Sequence, residues 1–211
     1  MNKLFTFIFS FFSLIVLAQS DSIPYSRDYE FKEGVFFTPS QFKQNNPIPK
    51  LSISSGIPSN QLDFLTQVVE QKIITFKDAA GNVQKIETAS IWGYCQNRSF
   101  YINFNNLFNR FNVIGTFCHF TAIVSTSVGF RDPMGYGLNN SVDEMRQFVF
   151  DTQTNKVYDF NVKNMEMLLK NDSDLFIQFM ALKKRKKADS IFIYLRKYNE
   201  KHPLYLYLPE K

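Results

Sequence analysis

Between Ala89 and Ser127 the apolar and polar positions alternate with a period near two. Ile91, Gly93 and Cys95 fall on one side, with Trp92, Tyr94 and Gln96 on the other. After a polar break at Asn97-Arg98, Phe100, Ile102 and Phe104 alternate with Tyr101 and Asn103. Period two over β-branched and aromatic residues predicts strands on a pleated, half-buried surface, and two such runs around a short polar break predict a hairpin. A further strand is expected from Val113 to Val124, with Gly115 marking a bulge or a close backbone approach. Aromatic residues stand on both sides of the alternation, so both faces of the sheet should be covered.

Elsewhere the runs are shorter. Asp21–Glu30 is polar, and Phe31–Thr38 predicts a first strand. Thr38-Pro39-Ser40-Gln41 is a helix start: Thr38 caps, Pro39 suits the first helical position, and Gln41 stands where a capping box places its reciprocal partner. Asn45-Asn46-Pro47 ends that helix, and Pro47–Ser59 is a connection with a brief strand at Leu51–Ser54. Asn60 is expected to cap a short helix carrying Leu62, Leu65 and Val69. Ile73–Lys77 with Val83–Glu87, and Met145–Phe150 with Lys156–Phe160, predict two more hairpins. Gly129–Ser141 holds three glycines, a proline and two asparagines, and reads as the longest loop.

From Asn161 onward the period becomes helical. Asn161 is expected to cap Val162–Lys170, and Ser173 to cap a helix from Asp174. Phe176, Phe179, Met180, Ile191, Leu195 and Tyr198 supply an apolar stripe at three- and four-residue spacing. Lys183-Lys184-Arg185-Lys186-Lys187 is basic on every helical face, so it is solvated or separates two helices. Pro203 stops the last helix, and Leu204–Leu208 is expected to dock as a final extended segment. The whole predicts one α+β domain over 21–211. An antiparallel, meander-like sheet with short N-terminal helices occupies 31–160, and a helical segment packed on it occupies 161–203.

The first twenty residues stand apart. Lys3 precedes an apolar run from Leu4 to Leu17, followed by small or polar residues, which is the pattern of a secretory signal peptide. A membrane span needs about 20 apolar residues, and this run is shorter. Cleavage after Ala18 or after Ser20 fits, and no cysteine lies near the cut to carry a lipid. Export to the periplasm, outer membrane or extracellular space is therefore expected, with no transmembrane helix in the mature chain. The formal net charge of +5 is too mild to argue for nucleic acid.

Cys95 and Cys118 are the only cysteines. On neighbouring strands in an oxidising compartment they would form a disulfide; the alternative is two buried free thiols. There is no CxxC, no zinc-ligand spacing, no GxSxG elbow, no phosphate loop, no HExxH and no dinucleotide fingerprint, so no cofactor or metal is expected. His119 follows Cys118 directly, and adjacent strand residues point to opposite faces, which makes that pair a poor catalytic one. Cys95 with His119 is the remaining arrangement for a hydrolase. His202, at a helix end, should meet carbonyls or the helix dipole.

For binding, the Gly129–Ser141 loop offers Arg131, Asp132, Met134 and Tyr136. The basic run Lys183–Lys187 offers a peripheral contact with anionic lipid. Asp21-Ser22-Ile23 and Asp189-Ser190-Ile191 resemble a short O-glycosylation acceptor of exported Bacteroidetes proteins. These features favour a non-enzymatic binding or structural role toward an unknown protein or envelope component. A hydrolase near Cys95 and His119, or a carrier of an apolar ligand inside a curved sheet, are the alternatives.

Three islands carry a family resemblance: Glu33-Gly34-Val35-Phe36 through Gln41-Phe42-Lys43 and Asn45-Asn46-Pro47-Ile48; Ile91-Trp92-Gly93-Tyr94-Cys95; and Tyr194-Leu195-Arg196-Lys197-Tyr198-Asn199-Glu200-Lys201-His202-Pro203. With them the chain resembles uncharacterised secreted proteins of Bacteroidetes, of flavobacterial type. The resemblance implies an exported envelope protein, and it implies no activity, cofactor or catalytic residue.

Overall fold

The computed structural model describes residues 22–131 and 137–207; the predicted signal peptide lies outside them. Among the described residues the order is β1 (Ser22–Pro24), β2 (Gly34–Phe36), α1 (Pro39–Gln44), β3 (Ile48–Pro49), β4 (Ile53–Ser54), α2 (Phe64–Val69), β5 (Ile73–Lys77), β6 (Val83–Glu87), β7 (Gly93–Gln96), β8 (Ser99–Phe104), β9 (Leu107–Val113), β10 (Phe117–Arg131), β11 (Gly137–Asp151), β12 (Lys156–Asp159), α3 (Val162–Leu168), α4 (Ser173–Met180), α5 (Lys184–Lys201) and β13 (Tyr205–Tyr207). Eight strands form one sheet in the order β12-β11-β10-β9-β8-β7-β2-β3, with β7 to β12 running as a meander. Its described pairings are antiparallel. The expected α+β architecture, with helices at the C-terminal end, is what the chain adopts.

Two tight turns set the register of the meander. Asn97-Arg98 joins β7 to β8, and Asn105-Asn106 joins β8 to β9. All four residues have positive φ, between 49 and 62 degrees, as a two-residue turn matched to strand twist requires. The first hairpin is the expected one. The second was not foreseen, and it corrects the strand expected from Val113 to Val124. Val113 ends β9, and β10 begins only at Phe117. The intervening Gly115 is a close approach, as one of its two readings proposed: a Cβ there would lie 2.4 Å from the Asn199 side chain of α5.

The sheet is strongly curled. The rings of Trp92, beside β7, and Phe150, on β11, lie 5.4 Å apart, although four strand spacings in a flat sheet would be about 19 Å. The concave face holds Phe36, Cys95, Phe100, Ile102, Phe111, Cys118, Phe120, Phe148 and Phe150. Phe42 of α1 plugs it, with its ring 4.7 Å from Phe100 and 5.4 Å from Trp92. Alternation holds along β7, where Cys95 turns inward and Tyr94 outward. It fails before Gly93, because the strand starts there: Trp92 packs on the concave cluster and Ile91 on the outer one.

Both parts of the convex face are covered, as the two-sided pattern implied. α2 and the small sheet β4-β5-β6 bury Val35, Tyr94 and their neighbours. α3, α4 and α5 bury Phe117, Val149 and Phe160. The caps follow the chemistry of their residues. Gln41 N–H donates to Thr38 Oγ1 (3.2 Å), and Gln41 Oε1 accepts from Phe37 N–H (2.6 Å). Asn45 closes α1 in the left-handed region. Asn161 caps α3. α4 is capped by Asp172, whose carboxylate accepts from Leu175 N–H, and not by Ser173. α2 starts after Asp63, not at Asn60, which leaves Leu62 exposed. β13 docks after Pro203 and pairs with β1, so the two ends of the described chain close the concave face together.

Candidate functional site

The segment read as the longest loop is mostly strand. β10 and β11 are fifteen residues each and stay in register from Phe117 opposite Asp151 out to Arg131 opposite Gly137. Gly129–Arg131 and Gly137–Ser141 therefore belong to a long ribbon. Turn-forming residues mislead there because the pairing of two long strands overrides local preference. Arg131 ends β10; Asp132, Met134 and Tyr136 lie outside the described residues.

The ribbon outruns its neighbours. β9 pairs with β10 at His119 and Phe120; continued in the same register, its first residue, Leu107, falls opposite Val124. β12 pairs with β11 only over Phe148–Asp151. From Ser125 opposite Asp143 to Arg131 opposite Gly137 no third strand lies alongside among the described residues, a length of about 23 Å. A lone two-stranded ribbon is marginal in water, and its outward amides and carbonyls are open to pairing. Near its root Ile123 stands directly opposite Met145, and both are exposed, Met145 at 73 %. Val142, opposite Thr126, is exposed as well. Ser125 Oγ donates to Asp143 Oδ1 at 2.5 Å.

The cysteines and histidines do not assemble a reaction centre. β8 and β9 separate the strands of Cys95 and Cys118, so the expectation that they neighbour each other is corrected. Both are free and buried, with Cys95 Sγ donating to Phe31 O (3.7 Å) and Cys118 Sγ to Gly115 O (3.2 Å). Burial pushes both thiols up to about 12, so neither supplies a thiolate. His119 points to the opposite face from Cys118, as the strand period demands. Its ring packs against Phe160 and Phe192, and its Nε2 lies 3.1 Å from Gln147 Oε1. Its Nδ1 is buried without a partner. Burial holds its pKa below the ordinary value, partly offset by Gln147, which fits a neutral imidazole in an aromatic cage.

His202 meets a carboxylate where carbonyls or the dipole were expected. Its Nε2 lies 2.6 Å from Asp172 Oδ2, and Lys201 Nζ donates to Asp172 Oδ1 at 2.9 Å. The Leu175 amide, then Lys201 and His202, hold Asp172 well below the usual carboxylate range. This cluster ties the start of α4 to the end of α5. Thr116 Oγ1 donates to the backbone carbonyl of His202, not to its ring, so the Asp–His pair has no nucleophile from that side. Sequence spacing gave no hint of it, because Asp172 and His202 meet only through the packing of two helices.

An open cleft of about 640 Å³ lies between α5, the β9–β10 connection and the segment after β1. Arg27, Arg196 and Glu200 line it, beside Asn199. The Asn199 amide is occupied: its Oδ1 accepts from Phe117 N–H (2.8 Å) and its Nδ2 donates to Phe117 O (2.9 Å). No histidine or cysteine lines this cleft. Among the described residues no group of three His, Cys, Asp or Glu side chains is placed to hold a metal.

The basic run opens α5, with Lys183 at its N-cap, and the break from α4 falls at Ala181–Lys183, so the run lies within a helix and does not separate two. Lys183, Lys184, Arg185 and Lys186 are exposed. Lys187 is buried: its Nζ donates to Glu166 Oε1 at 2.6 Å and lies 5.6 Å from the centre of the Phe179 ring. No acidic residue stands in the first turn of α5, so the positive end of the helix dipole carries added positive charge.

Fold and surface define an α+β protein built on a curled antiparallel sheet, with helices on its convex side and a ribbon projecting from the meander. No helix among the described residues is long and apolar enough to cross a membrane. The chain belongs to the family of unknown function DUF6563, whose model matches residues 34–202, from the start of β2 to the end of α5. No curated protein and no solved structure matches the chain.

Proposed function

We propose that this is an exported envelope protein with a non-enzymatic binding role, and that the β10–β11 ribbon is its docking element. One observation carries the reading. The ribbon keeps its pairing for seven residue pairs beyond its strand neighbours and exposes Ile123, Val142 and Met145 near its root. Unpaired edges and exposed apolar side chains are what strand-adding partners use. The leader pattern of residues 1–20 and the resemblance to secreted Bacteroidetes proteins support export. The four exposed cations of Lys183–Lys186 support a peripheral contact with anionic lipid, where charge is drawn to an acidic surface.

The test is affinity capture from the native envelope with the intact protein and with a variant whose ribbon is shortened, Ser125 being joined to Asp143 by Asn-Gly. An envelope protein retained by the first and lost by the second, with the melting transition preserved, is the expected result. Identical capture by both overturns the assignment of the ribbon.

A further inference from the structure

The outer face of the helical layer sets exposed cations among exposed apolar side chains. Its centre is a junction of three helices: Lys187 Nζ, on α5, donates to Glu166 Oε1 of α3 at 2.6 Å and lies 3.3 Å from Met180 Sδ of α4. Residues three and four apart share a helix face, which fixes what surrounds that junction. On α3 and the turn after it, Lys163, Met167 and Lys170 form an exposed stripe beside Glu166. On α4, Ile177 precedes Met180 by one turn, and both are exposed, Ile177 at 66 %. On α5, Lys183 and Lys184 precede Lys187 by one turn, with Arg185 and Lys186 exposed beside them.

The charges of this face are not balanced within the fold. Glu166 pairs with Lys187, and Asp172 and Asp174 pair with Lys201. Among the described residues Lys163, Lys170, Lys183, Lys184, Arg185 and Lys186 have no ion-pair partner. Asp189, one turn beyond Arg185, is the only acid in the first half of α5.

We propose that this face lies on an anionic lipid bilayer, with Met167, Ile177 and Met180 entering the boundary between head groups and acyl chains. The proposal rests on the reading of Lys183–Lys186 as a peripheral lipid contact, and adds to it an apolar component and an orientation, helices toward the bilayer and sheet away from it. The cations draw the face to a negatively charged surface. A polyanion in solution is held through charge and would leave the three apolar side chains in water. Composition selects against a protein partner, because protein interfaces are depleted in lysine and enriched in arginine, and five of these six cations are lysine. Apolar side chains interleaved with lysines are what a helix lying in the membrane interface presents.

The test is sedimentation of the purified exported protein with vesicles of phosphatidylglycerol and phosphatidylcholine in equal parts, and with vesicles of phosphatidylcholine alone. The protein should bind the first and not the second. Lys183→Gln with Lys184→Gln should weaken binding by about tenfold or more, and Ile177→Gln with Met180→Gln by about tenfold. All four positions are exposed, so both variants should keep the wild-type melting transition. An Ile177→Gln, Met180→Gln protein that binds as tightly as wild type overturns the insertion and leaves the peripheral contact of Lys183–Lys186 standing. No binding to the anionic vesicles sinks both and leaves the docking role of the ribbon untouched. Retention on immobilised polyphosphate but not on the vesicles overturns the proposal as well. Should the apolar variant fail to fold, Ile177→Cys bearing an environment-sensitive fluorophore decides, since the native cysteines are buried: a blue shift on anionic vesicles supports insertion, and unchanged emission overturns it.

Discussion

Gly115 should be intolerant of even one carbon, for a reason located on another element. Its added Cβ would sit 2.4 Å from both Cγ and Nδ2 of Asn199, well inside the contact distance of about 3.5 Å. The φ of Gly115 is not left-handed, so the obstacle is space and not backbone strain. In Gly115→Ala the Asn199 amide must leave, and with it go the bonds to Phe117 N–H and Phe117 C=O. Phe117 is fully buried, so those groups lose partners where water does not replace them. Two such losses cost about 2–4 kcal/mol, or roughly 5–15 °C in melting temperature for a chain of this size. Urea unfolding followed by Trp92, the only tryptophan, measures the cost. The discriminating experiment is the double variant. Once Asn199→Ala has emptied the space, adding Gly115→Ala should cost less than about 1 kcal/mol, as coupled neighbours behave. If Gly115→Ala costs the same with and without Asn199, or lies within about 0.5 kcal/mol of wild type, the collision is not what constrains this position.

Two further outcomes follow from the side chains around the sheet. Asp172→Asn should lower the melting temperature at neutral pH. Because the folded carboxyl titrates below its ordinary value of 3.8, its contribution is present above that value and fades as pH falls below it. The difference between wild type and variant should therefore shrink in strong acid, and a gap that widens there refutes the assignment. Neither Cys95 nor Cys118 should react with an aromatic disulfide reagent in the folded protein, since burial disfavours both thiolates. Both should titrate on denaturation, and recovery of fewer than two thiols would show a bridge.

Much of the fold was legible because side-chain pattern and local capping chemistry agreed. Thr38, Pro39 and Gln41 start α1 as their types predict, Asn161 caps α3, and the hairpins at Asn97-Arg98 and around Gly81 fall where polar breaks interrupt β-forming runs. β9 escaped because Asn105-Asn106 interrupts Phe104 and Leu107 without a glycine, and because Val113 and Phe117 look continuous across Gly115. The break between them is set by Asn199, far along the chain. The ribbon escaped for a different reason. That a strand pair outlasts its neighbours depends on the lengths of β9 and β12 and on their registers, which no local run contains. The Asp172–Lys201–His202 cluster is likewise a product of helix packing.

The pairing of β1 with β13 has a mechanical consequence. Ser22 lies opposite Tyr207, and Pro24 opposite Tyr205, so both ends of the chain leave the ladder on the same side. Tension applied between them would peel the short ladder open rung by rung instead of loading every rung at once. Leu206 and Leu204, seated in the concave cluster, would then be the first core side chains drawn into water, and the curled sheet would open from its lid before any of its own strands parted.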